Sequence, residues 1–297
     1  MDKEKTLELA KEQGIAVPAS FCISSAEDIG GVLGQVRFPV IFKWPNPFAV
    51  IAALRAHGLA LVKYEYANNS EEFKKIAERY TPIGQWPLIQ QYCPGYGLGQ
   101  FFFLHEGEVI RFFQHRRVRE WPPEGGYSTA CDAVPAELHV ELQRKSLGLL
   151  RKIGWEGVAM VEYRYDPIQD QAVLMEINGR YWGSYPLAVH CHAGFALTAY
   201  CLHANVPLPA LPKPLDSFRC RTIVVESKRL IRVIFQADKI QDKQFKRKPL
   251  VELCQFFGDF VRPHVGYYVW SWDDPAPFFA DVLNGVWNLL KSMLRKR

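Results

Sequence analysis

The chain has 297 residues, is 48% hydrophobic and 23% charged, and carries a formal net charge of +5. That composition is ordinary for a globular chain, and so mild a positive charge gives no reason to expect a nucleic-acid partner. Seven scattered cysteines with no CxxC pair, a charged N-terminus (MDKEKTLELAKEQG) and no apolar run of about 18 residues lead to the expectation of a reduced, cytoplasmic chain without a secretory signal or a membrane span.

In chain order, residues 2–14 have the spacing of an amphipathic helix stopped by Gly14, and a second helix is expected after Ser25, with Asp28 three residues on. FPVIFKW (38–44) is a short β-rich run ending near Lys43, broken by Pro45, Asn46 and Pro47. LALVKYEY (59–66) reads as another strand carrying Lys63, and residues 68–80 as a helix capped by Ser70. PLIQQYCPG (87–95) is a strand ended by Pro94-Gly95, and residues 100–117 a hairpin about Glu106-Gly107-Glu108. A Pro- and Gly-rich loop (119–129) leads to a helix over 137–154 closed by Gly154. This order of hairpins and helices argues for an α+β fold rather than a doubly wound parallel sheet, and neither GxGxxG nor GxxxxGK[ST] is present.

The stretch GVAMVEYRYDPIQDQAVLMEINGRYWGSYP (157–186) carries the chemistry. It reads as a hairpin with Val158, Met160, Glu162 and Arg164 on one face of its first strand and Ala172, Leu174, Glu176 and Asn178 on the same face of its second. Folded about Ile168–Gln169, it sets Glu162 against Glu176, a pairing of like charges that costs stability unless a cation lies between them. Two carboxylates and the oxygen of Asn178 suit a hard ion such as Mg2+. A surface hairpin with two solvated glutamates has the same pattern, and both readings stay open on spacing alone. Lysines at the ends of apolar strands, as at 43 and 63, are likewise compatible with simple snorkelling.

Taken as an ordered set, FPVIFKW with Lys43, LVKYE with Lys63, LIQQYCPG, EGGYST, VAMVEYRYD and LMEINGRYWGS resemble the ATP-grasp superfamily over about residues 1–200. The set is most similar to the branch described as carbamoyl-phosphate-synthase-like or predicted carboxylate–amine ligases. The resemblance implies two α+β lobes with nucleotide between them: a small lobe with the N-terminal helix over 1–86, a large lobe with the metal-binding hairpin over 87–215, and a mainly helical C-terminal extension over 216–297. It implies ATP and Mg2+ (or Mn2+) as cofactors. Lys43 and Lys63 would contact phosphates, with Lys63 also counted as catalytic. Gln90, Gln91, Tyr92 and Cys93 would line the adenine. Glu162, Glu176 and Asn178 would hold the metal, and Arg180 would act on the transferred phosphoryl group. The reaction implied is activation of a carboxylate as an acyl phosphate, followed by attack of an amine; the alternative is a non-catalytic ATP-binding subunit. The sequence shows no Gly-rich flap in KYEYANNS, has glutamines at 90 and 91 where acidic residues are usual, and reaches Lys43 almost at once. The N-terminal domain usual in the family is therefore expected to be missing, replaced by a partner chain or removed from the given sequence, with a homodimer as a further option.

Within the basic cluster RFFQHRRVRE, Arg117 and Arg119 share a strand face and are the candidates for docking the substrate carboxylate. His190, Cys191, His192, Cys201 and His203 match no usual zinc spacing and are better explained as a buried helix pair broken at Gly194. Residues 216–297 match no motif. They end in an amphipathic helix, with Phe279, Val282, Val286, Leu289, Leu290 and Met293 in one stripe beside Trp287. Such a helix docks on protein or lies peripherally on the inner membrane face.

Overall fold

The computed structural model describes residues 3–294. The chain divides into two compact units. The first takes residues up to Gly95, Arg164–Met175 and Gln241–Phe245; the second takes Tyr96–Tyr163, Glu176–Ile240 and the chain from Lys246 onward. The outer part of the acidic hairpin groups with the first unit, and most of the last third groups with the second.

The first unit is built on four antiparallel strands, β1 (Ser20–Phe21), β2 (Val40–Lys43), β3 (Glu65–Ala67) and β4 (Leu88–Gln91), in the order β1-β4-β2-β3. Strand alternation decides its two faces. Val40, Phe42 and Ile89 turn into a core closed by Phe73, Ile76 and Ala77 of α4 (Ser70–Arg79), whose spacing puts them on one helix side. Ile41, Lys43, Tyr66 and Gln90 occupy the other face, as the pairings Ile41↔Tyr66, Ile41↔Gln90 and Lys43↔Leu88 require. The cap of α4 is Asn69 rather than Ser70; its side chain accepts a 2.9 Å bond from the Glu72 amide. The unit also holds α1 (Lys3–Glu12), α2 (Asp28–Leu33) and α3 (Pro47–Ala56).

The strand expected over 59–66 shrinks to Glu65–Ala67. The cause lies upstream. Pro47 is fixed at a helix-compatible φ and begins α3 instead of merely ending β2. Gly58, at φ 67°, terminates that helix, and the Leu59 amide still bonds back to Leu54 O. Lys63 therefore sits exposed in a bend.

The second unit carries a seven-stranded sheet. Its strands are β5 (Tyr96–His105), β6 (Glu108–Trp121), β7 (Tyr127–Ala133), β8 (Gly157–Asp166), β9 (Gln171–Asn178), β10 (Arg219–Arg221) and β11 (Val265–Tyr267), in the order β11-β10-β7-β6-β5-β8-β9. The β5–β6 turn places Glu106 and Gly107 at φ 52° and 78°, the mirror-image turn that matches strand twist. Both faces of the sheet are covered. Gln100 and Tyr163 bond Ser146 of α5 (Val140–Lys152) on one side, and Trp182 stacks on Phe101 at 3.7 Å on the other. The helix pair expected around Gly194 is present as α6 (Tyr185–His190) and α7 (Phe195–Ala204). His190 is committed to stacking on Phe218.

Residues 127–133 were expected to begin in a loop but form a full strand, buried from Ser128 on. The last third is mainly helical and adds two short strands. β10 pairs antiparallel with β7 and β11 runs parallel to β10, so the segment widens the sheet before and between α8 (Ile223–Phe235), α9 (Pro249–Gly258) and α10 (Ala276–Leu294).

Candidate functional site

In the first unit, the face of the sheet away from the core gathers Lys43, Gln90 and Tyr66. Cys93, at the end of β4, has its thiol pushed up by burial, an effect opposed by the positive charges of Arg164 and Lys43, so these two cations flank it. Arg164 is a residue that the sequence reading had assigned only to a strand face. Its guanidinium donates to Gly95 O, where the chain crosses the hairpin so closely that a Cβ on Gly95 would meet Tyr165 O at 1.9 Å.

The segment 90–93 is partly committed to structure. Gln90 donates to Ser20 Oγ at 3.0 Å. Gln91 lies on the opposite sheet face from Gln90; its amide donates to Arg37 O and Pro39 O, and its backbone N–H donates to Ala19 O. Its carbonyl receives the Cys93 thiol at 3.6 Å. The side chain of Gln91 is thus a brace for residues 37–39. Tyr92 packs its ring 6.3 Å from Tyr66.

In the second unit, β8 and β9 carry Glu162, Glu176 and Asn178 on adjacent strands. Glu162 is pushed above the ordinary carboxylate range by burial; Arg117 opposes the shift, and the charges of Glu176 and Glu120 add to it. The Arg117 guanidinium meets Glu162 Oε2 at 2.6 Å, Glu120 Oε1 at 3.2 Å and Gly126 O at 2.9 Å. Burial works against its charge, but the two carboxylates more than restore it and hold its pKa above the usual arginine value. Asn178 donates through Nδ2 to Glu176 Oε1 at 2.9 Å, which leaves the amide oxygen as an acceptor. Arg180 is exposed and touches only its neighbour's carbonyl, Tyr181 O, at 3.3 Å among the described contacts.

Glu162 and Glu120 thus hold one guanidinium, and Glu162 has the carboxylate of Glu176 and the amide oxygen of Asn178 on the adjacent strand. That donor set suits a hard divalent cation bound by few protein ligands. Among the described residues no group of three or more His, Cys, Asp or Glu side chains is placed so that it could hold a metal ion.

Arg119 is not beside Arg117. In the β6–β7 ladder Arg117 pairs with Cys131 and Arg119 with Ala130, so Val118 is an inserted residue and the face inverts. Arg119 is instead buried, paired with Glu226 and Asp259. The pairs continue through Arg219 to Asp259 and Asp132, from Asp132 to Arg116, and from Glu226 to Arg221. Arg221 is fully buried, with its guanidinium 4.6 Å and 4.7 Å from the rings of Phe256 and Phe260. The alternation Arg219-Cys220-Arg221 is the one sequence sign of this network, and Glu120 as partner of Arg117 had none.

No protein-family model and no curated protein matches the sequence. Solved structures do match. The biotin carboxylase–β,γ-ATP complex of Campylobacter jejuni is 14% identical, with a TM-score of 0.55 over 73% of this chain and 49% of that one. N5-carboxyaminoimidazole ribonucleotide synthetase of Thermus thermophilus is 13% identical, with a TM-score of 0.53 over 73% of this chain and 55% of that one. The Staphylococcus aureus N5-carboxyaminoimidazole synthetase complexed with ADP is 13% identical, with a TM-score of 0.50 over 71% of this chain and 54% of that one. The chain has the ATP-grasp fold. It spans about half the length of the solved structures it matches.

Proposed function

We propose that the protein is an ATP- and Mg2+-dependent ligase that activates a carboxylate as an acyl phosphate for attack by an amine. The observation that carries this is the part-buried acidic pair on β8 and β9, Glu162 and Glu176, with an amide oxygen at Asn178 and the cation Arg117 against Glu162. The matched structures, an ATP complex of a biotin carboxylase and an ADP complex of a synthetase, support nucleotide use.

In this reading Glu162, Glu176 and Asn178 hold the metal, which when bound neutralises phosphate charge. Lys43, aided by Arg164, binds phosphate oxygens on the first unit, and Lys63 reaches them from its bend. Gln90, Tyr92 and Cys93 border the base. Arg180, exposed on the loop after β9, has the freedom to meet the transferred phosphoryl group. Arg117, anchored by Glu120, orients the acceptor carboxylate through its planar fork.

The test is thermal unfolding with and without MgATP, followed by ADP release over a panel of carboxylates and amines. A ligand at about 100 times its Kd adds roughly 2.7 kcal/mol, which for a chain of this size is a rise of several degrees. Wild type is expected to show the rise and to release ADP, and Glu176→Ala to lose both while melting normally in the absence of nucleotide. Equal turnover in that variant overturns the assignment.

A second reading is favoured by the ion pair itself. With Arg117 already held against Glu162, the acidic pair is partly neutralised, as suits a subunit that binds ATP without turning it over. It predicts the MgATP shift with no ADP release for any acceptor.

A further inference from the structure

Helix α10 turns the wrong side outward for a helix docked on its own protein. Its inner side is fixed by two contacts in the second unit. A Cβ on Gly285 would lie 2.9 Å from Val224 Cγ1 of α8, and Asp281 lies near enough to Tyr127, at the start of β7, to help raise that phenol's pKa after burial has done so. Phe278, Val282 and Gly285 are partly covered on that side. The opposite side presents Phe279, Leu283, Val286 and Trp287, each more than half exposed. Their spacing of four, seven and eight residues makes one stripe about 12 Å long. At its N-terminal end Phe279 belongs to an aromatic cluster with Trp270 and Phe278, with the exposed Trp272 5.2 Å from Trp270.

Charge selects what covers the stripe. From Phe279 on there are four basic residues, Lys291, Arg295, Lys296 and Arg297, against one acidic residue, Asp281, which lies on the inner side near Tyr127. Arg295–Arg297, and the side chains of Leu289, Leu290 and Met293, lie outside the described residues. Lys291 is exposed, and its ammonium stands 5.1 Å from the Trp287 ring centre. A second copy of the helix would bring the same positive charges together, whereas an anionic surface neutralises them. An apolar stripe with tryptophan at its margin and lysine and arginine beside it is the composition of a helix that lies in the headgroup layer.

We propose that α10 binds the surface of an anionic lipid bilayer, with Phe279, Leu283, Val286 and Trp287 at the headgroup–acyl boundary and Lys291 among the lipid phosphates. The test is co-sedimentation of the full chain with vesicles of phosphatidylcholine and phosphatidylglycerol, against vesicles of phosphatidylcholine alone. Wild type is expected to pellet with the mixed vesicles only, and to be released by salt. Leu283→Ser with Trp287→Ser is expected to lower the partition constant at least about tenfold, with an unchanged melting temperature because both residues are exposed. Lys291→Glu is expected to weaken binding by about tenfold on anionic vesicles. Failure of wild type to pellet with the mixed vesicles overturns the proposal. So does unaltered binding of the double variant, or binding that neither salt nor Lys291→Glu affects. A salt-insensitive dimer that the double variant splits, without vesicle binding, overturns it in favour of a second copy.

Discussion

At the scale of single residues, the decisive feature is how the second unit disposes of its buried charges. Arg119, Arg219 and Arg221 face Asp132, Asp259 and Glu226 in one connected set, with every one of them buried. Such a set adds little net stability over an apolar core, but removing one member strands the rest. Asp259 shares its carboxylate between Arg119 and Arg219. Asp259→Ala is therefore expected to cost about 3–5 kcal/mol, a fall of roughly ten degrees in melting temperature for a chain of this size. Glu141→Ala, which removes the exposed pair with Arg144, is expected to leave the melting temperature within error. Calorimetry on the two variants checks the contrast; equal shifts would mean that burial does not govern these pairs.

At the scale of elements, the crossing of the chain at Gly95 over the acidic hairpin makes a sharp prediction. Gly95 has φ 94°, and any Cβ would overlap the Tyr165 carbonyl. Gly95→Ala thus meets strain and a backbone clash together, and is expected to destabilise by more than about 2 kcal/mol, whereas Gly107→Ala, with open space around it, meets only the strain of φ 78°. Denaturant midpoints would rank the two. The same crossing shows what was legible in the sequence. Pro94-Gly95 announced a break, and the acidic hairpin, the β5–β6 turn and the α5 period were all readable, because each is a local pattern. The α3 helix was missed because Asn46-Pro47 was taken as a stop, when Pro at a first helical position is also a start. Strand β7 was missed because Ser128, Thr129, Ala130 and Cys131 show no alternation when both faces are buried. Arg119 was misplaced because a one-residue bulge at Val118 inverts every later side chain, and nothing local marks it. The role of the last third was hidden for a related reason. Its strands are three residues long, and its contacts are to Asp132 and Arg119, about a hundred residues away in sequence.

At the scale of the whole molecule, the two classes of perturbed carboxylate oppose each other as the pH falls. Glu162 and Glu226 are both pushed up, by burial foremost, despite the arginines beside them. A carboxylate whose folded pKa is raised favours the native state when protonated, so the stability it contributes is present at low pH and lost as pH rises through the folded pKa. Glu72 and Asp132 behave in the reverse sense. Glu72 is held at about 2, chiefly by its bond from Lys243 in the first unit. Asp132 is kept below the ordinary range although burial pushes it up, because Arg219 and then Arg116 pull it down. Their contribution is present above the unfolded carboxylate pKa and disappears as pH falls through the folded value. The melting temperature is therefore expected to rise modestly as pH falls toward the ordinary carboxylate range and to fall again below it. Glu162→Gln should shrink the upper limb and leave the acid limb unchanged, since the amide cannot ionise and Glu226 keeps its share. Lys243→Ala should soften the acid limb slightly, because Lys243 is exposed and Glu72 only part-buried, so the ion pair is screened. Asp132→Asn should remove more of that limb, since its partner Arg219 is buried. A melting temperature that climbs steadily from acid to neutral pH, with no maximum, would show that the Arg117 and Arg119 guanidiniums hold Glu162 and Glu226 ionised and outweigh their burial.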